Sequence, residues 1–136
     1  MKFDEFCFHD SIIKNIDYDG KLLSISISES HYENSFSNLQ LEIPIKADDF
    51  SIYLIRRYPK RHNVHIKGRE ITFSKLKSLF KKGKFLIIVD VLKEIDVDSI
   101  VFKTDIFPYS KARGVQDMLI INLEECRNII FKDLLK

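Results

Sequence analysis

Ile12-Ile13-Lys14-Asn15-Ile16-Asp17-Tyr18-Asp19-Gly20-Lys21-Leu22-Leu23-Ser24-Ile25-Ser26-Ile27-Ser28 is the stretch that sets the fold class. Side chains alternate faces along a strand, so Ile12, Ile16 and Tyr18 are expected on one face of a first strand. Asp19-Gly20 signals a tight primed turn, because glycine tolerates φ > 0. Leu23, Ile25 and Ile27 then return along the inner face, with Ser24, Ser26 and Ser28 turned outward. A hairpin is the natural reading.

Outward from that hairpin, residues 30–38 read as a Ser/Asn-rich loop. Leu39, Leu41, Ile43 and Ile45 alternate with polar residues up to Pro44, which cannot donate to a ladder and should end the strand or lie on an edge. Ile52–Ile55 is a shorter candidate strand. Val64–Ile66 and Glu70–Thr72 are expected to flank a turn at Lys67-Gly68-Arg69. A helix is expected near residues 73–82: Thr72 or Ser74 can cap it, Leu76, Leu79 and Phe80 recur at helical spacing, and Gly83 stops it. Phe85–Leu92, Ile100–Phe107, Met118–Leu123 and Ile129–Phe131 complete the apolar runs. The expectation is a mainly β (α+β) protein: an antiparallel sheet, sandwich or roll of about eight or nine strands with one short helix.

The chain has 136 residues, enough for a single domain over 1–136 with a core of its own. Its longest apolar run, Phe85-Leu86-Ile87-Ile88-Val89, falls far short of the ~20 residues that span a bilayer. Met1-Lys2-Phe3-Asp4-Glu5 lacks the basic-then-apolar pattern of a signal peptide. The two cysteines, Cys7 and Cys126, are expected to be buried thiols. A cytoplasmic protein without membrane contact is expected.

The net charge of +2 conceals segregation: residues 1–54 sum to −6, residues 55–84 to +10, and residues 85–136 to −2. Solvated faces rank first as the explanation, and charged partners second. In the basic segment 56–84, Arg56, Arg57, Lys60, Arg61 and His62 surround Tyr58, a composition able to stack bases and meet phosphates. The pI of about 8.5 nevertheless lies below the value above 9 typical of a nucleic-acid footprint. A nucleic-acid partner therefore ranks last.

Phe8-His9-Asp10-Ser11, followed by a strand, a tight turn and an alternating Leu/Ile strand, resembles the start of small bacterial β-rich proteins found beside polymorphic toxins. Those are read as immunity proteins with an HDS- or HDA-type opening. Ile66–Leu76 and Lys82-Gly83-Lys84-Phe85 are similar to a hairpin, helix, glycine and strand segment that such families carry. The resemblance implies tight binding of a cognate toxin domain, without catalysis. A basic toxin surface would be met by Asp17, Asp19, Glu29, Glu33, Asp48 and Asp49. An acidic one would be met by Arg56, Arg57, Lys60 and Arg61.

Other chemistry is thinly supported. Neighbouring strand residues face opposite ways, so His9 and Asp10 are not expected to act as base and orienter. Asp10 is expected to accept backbone N–H groups in a turn, and His9 to be half-buried with its ring nitrogen on a carbonyl. An enzyme built on His9/Asp10 is the remotest alternative. His62 and His65 have opposite strand parity, and no CxxC is present, so no metal site is expected. Ser11, Ser24 and Ser110 lack a nucleophile-elbow context. Asp48-Asp49 and Glu124-Glu125 read as turns, and no phosphate-cradling loop or cofactor motif occurs.

Overall fold

Ile12–Tyr18 (β1) and Leu22–Ser28 (β2) form the expected hairpin. The computed structural model describes residues 8–28, 38–60, 63–94 and 98–133. Two details of the hairpin differ from the simple alternation. Ile13 pairs with Ile27 and Asn15 with Ser26, so Lys14 is an extra residue in a β-bulge. The bulge switches parity, which turns Ile13 rather than Ile12 inward beside Ile16. The turn corners are Gly20 and Lys21, with Gly20 at φ +98°. The Asp19 carboxylate accepts from the backbone N–H groups of Lys21 and Leu22 at 2.8 and 2.7 Å. Ser28 is buried rather than outward.

Asn38–Pro44 (β3) ends at its proline, with Leu39, Leu41 and Ile43 inward. A short turn at Ala47–Asp49 leads to Phe50–Lys60 (β4), which is far longer than the expected 52–55. Asn63–Ile71 (β5) is one continuous strand, so no turn exists at Lys67-Gly68-Arg69; Gly68 sits mid-strand opposite Ile55. The structure then runs through Phe73–Lys81 (α1), Phe85–Glu94 (β6), Ser99–Phe107 (β7), Gln116–Leu123 (β8) and Ile130–Asp133 (β9).

Thr72 caps α1 by accepting from Lys75 N–H at 3.1 Å, while Ser74 lies inside the helix. At the other end Gly83 N–H bonds to Phe80 O and Lys84 N–H to Leu79 O, with Gly83 at φ +83°. Those paired bonds satisfy carbonyls that would otherwise be orphaned. Leu76 is fully buried, and Lys77 ties the helix to β1 through Asn15 and Asp17, both at 2.7 Å.

The strands form one open antiparallel sheet in the order β5-β4-β8-β7-β6-β1-β2-β3-β9. The sheet is curled. Tyr18 of β1 and Phe50 of β4 lie four steps apart in that order, which is ~19 Å in a flat sheet. Their rings meet edge-on at 4.9 Å. Curling wraps the inner face around a single cluster that includes Ile25, Leu41, Leu76, Leu86, Phe102 and Leu119. β5 and β9 remain as edges. No helix among the described residues is long and apolar enough to cross a membrane.

Candidate functional site

The Phe8–Ser11 motif is a turn, not a strand, and strand parity does not apply to it. Asp10 adopts φ +65°, which brings its Oδ2 to 3.5 Å from His9 Nε2. The His9 ring is exposed rather than half-buried, and its Nδ1 lies 2.8 Å from the carbonyl of Val89. Val89 is the extra residue of a bulge in β6, between the Ile88–Thr104 and Asp90–Lys103 pairs. His9 thus supplies a partner for a carbonyl that the ladder leaves over. Phe8 anchors the turn in the core, edge-on to Phe102. Asp10 N–H bonds to Ile88 O, and Ser11 N–H to Phe8 O. Ser11 and Ser28 each bury a hydroxyl with no hydrogen-bond partner among the described residues.

The acidic residues do not collect onto one surface of uniform sign. Asp17 is paired with Lys77 at 2.7 Å. Asp19 is engaged by its own turn, whose backbone N–H donors hold its carboxyl below the ordinary carboxylate pKa. Asp48 and Asp49 do approach the second acidic pair, because Glu124 N–H donates to Asp49 O at 2.6 Å. They border a shallow concavity of about 770 Å³ shared with Glu125, but Lys21, Lys46 and Arg127 line it too. Mixed charge gives this end no net preference for either sign. Glu29 and Glu33 lie outside the described residues.

The basic residues are arranged differently. β8 covers β4 only as far as Arg57, opposite Gln116, so the end of the β4–β5 hairpin projects as a wing. Cross-strand partners share a face. On the inner side of the β4–β5 ladder, leading out into the wing, stand Leu54 with Arg69 and Arg56 with Lys67, and beyond the reach of β8 Tyr58 with His65. Tyr58 and His65 stack at 5.6 Å between ring centroids. A groove of about 480 Å³ runs along this side, lined by Leu54, Arg56, Lys67, Gly68 and Arg69. Arg56 is held by Asp117 in a two-pronged contact of 2.7 and 3.0 Å, which raises its pKa through hydrogen bonding and then charge attraction. Arg57 lies exposed on the opposite side, across from Ile66. Lys60 pairs with Asn63 at the hairpin end, and Arg61 and His62 lie outside the described residues.

Lys67 and Arg69 belong to the basic segment 56–84, but the turn expected there hides their place on one face of a strand. A period-two signal was present: Val64 and Ile66 alternate with His65, Lys67 and Arg69. Gly68 and Glu70 end the apolar row after Ile66, and a glycine between two cations reads as a turn. Every residue from Asn63 to Glu70 is exposed, including Val64 at 51% and Ile66 at 68%. Among the described residues no cluster of three metal-ligating side chains occurs. Cys126 is a buried thiol whose pKa is raised by burial, and its Sγ donates to Asp98 O at 2.8 Å. Comparison with protein-family models, curated proteins and solved structures gives no match.

Proposed function

We propose that this chain is a non-catalytic protein-binding module of the immunity type, which neutralises a bacterial toxin domain by occupying it, and that the β4–β5 wing is its contact surface. The observation that carries this reading is the wing itself. A strand bare on both faces with an open edge is a liability that soluble proteins normally shorten or cover. Here the bare stretch runs from Asn63 to Glu70 and carries exposed Val64 and Ile66 beside cations. The likeness of Phe8–Ser11 and of Ile66–Leu76 to toxin-neutralising proteins points to the same class of partner.

Co-expression tests it. The chain should rescue growth of cells producing the toxin domain encoded beside it and should co-purify with that domain. Absence of a neighbouring toxin gene, or failure of both rescue and co-purification, contradicts the proposal. A second reading is favoured by one contact, the Tyr58–His65 stack on the same face as Lys67 and Arg69, which suits a single-stranded nucleic acid. It predicts affinity that falls steeply with salt and is lost on Lys67/Arg69→Ala.

A further inference from the structure

We infer that the open edge of β5 captures an extended segment of its protein partner by strand addition, and that this segment alternates acidic with apolar residues. The inference rests on the protein-binding reading above and assigns the chemistry of the contact. β5 is the last strand of the sheet, so one row of its backbone N–H and C=O groups is unpaired among the described residues. At 3.3 Å per residue its nine residues give an edge of roughly 30 Å, room for a strand of ordinary length.

The side chains set the pattern of the added strand. His65, Lys67 and Arg69 share the inner face, and none of their β4 partners Tyr58, Arg56 and Leu54 is acidic. Arg56 is already matched by Asp117, whereas Lys67 and Arg69 have no ion-pair partner among the described residues. Acidic residues on an added strand would fall opposite these two. Val64 and Ile66 project from the other face, so the intervening residues of the added strand would be apolar.

Two competing occupants fit less well. A second copy of this chain pairing β5 to β5 would set His65, Lys67 and Arg69 against one another, because that row contains no acid. A nucleic acid would satisfy the cations, but its phosphodiester backbone has no donors for the edge carbonyls, whereas a peptide offers N–H and C=O in the required alternation.

Fluorescence polarisation with the full chain tests the inference, using a labelled nine-residue peptide that alternates Glu and Val. Controls are the same residues in two blocks, alternating peptides N-methylated in either of the two frames, and a short oligothymidylate. The alternating peptide should bind about tenfold or more tighter than the block control. One N-methyl frame should lose that binding and the other keep it, since only one frame meets the β5 edge. Lys67→Glu/Arg69→Glu should weaken binding about tenfold while the circular dichroism spectrum is unchanged. Should that variant fail to fold, the two N-methyl frames on the unaltered protein decide the matter. Equal binding of block and alternating peptides, indifference to both N-methyl frames, or tighter binding of the oligothymidylate overturns the inference. Co-purification of the toxin domain that survives a failure of the peptide arms sinks the edge assignment alone. Its loss with peptide binding intact sinks the toxin reading alone.

Discussion

β2–β3 and β4–β5 are both two-stranded antiparallel ladders in the same sheet, yet they stand in opposite relations to the core. Leu23, Ile25 and Ile27 face Ile43, Leu41 and Leu39 across the first, and all six are essentially inaccessible. In the second, Ile52 with Ile71 begins a similar row, but Leu54 already faces Arg69, and Arg56 faces Lys67. The inner face therefore changes from apolar to cationic within one ladder. Burial holds the first pair in place, whereas the far half of the second is held by backbone pairing and by β8 on one side. A region with so little buried apolar surface contributes little to stability.

Core truncation is the sharpest way to test that division. Leu41→Ala should cost about 2–5 kcal/mol in urea unfolding, because it opens a cavity where no water enters. His9→Ala comes next. It removes the partner of the Val89 carbonyl at the β6 bulge and should cost about 1 kcal/mol by the same measurement. A smaller, pH-dependent effect belongs to Asp19. Its folded pKa lies below the ordinary value, so its contribution is present at neutral pH and is lost as pH falls below about 4, through the folded pKa. The stability difference between the unaltered protein and Asp19→Asn should shrink over that range in acid titrations followed by circular dichroism. Smallest of all, Ile66→Ala on the wing should change stability by no more than about 0.5 kcal/mol. Comparable losses for Leu41→Ala and Ile66→Ala would break the contrast between the two ladders.

The same contrast explains how much could be read beforehand. Where one face is buried, alternation is visible: Leu23–Ile27 and Leu39–Ile43 lie inward as expected, and Thr72 and Gly83 bound the helix. The bulge at Lys14 could not be foreseen, because only pairing with Ile27 and Ser26 reveals the extra residue. For β5 the sequence offered a glycine between two cations and an apolar row of only Val64 and Ile66, which reads as a turn until β4 is seen to pair along its whole length. The His9–Asp10 contact was hidden for a related reason. It depends on the left-handed backbone at Asp10, which lifts the pair out of strand geometry. The segregated charge was legible as a sum, whereas the placement of Arg56, Lys67 and Arg69 on one face of the β4–β5 ladder was not.

Amide hydrogen exchange measured with and without the alternating Glu/Val peptide tests the central claim most directly. If the wing is the binding surface, saturating peptide slows exchange within Asn63–Ile71 and leaves the concavity around Asp48, Asp49 and Glu125 unchanged. Slowed exchange at that concavity, or none in β5, would contradict it.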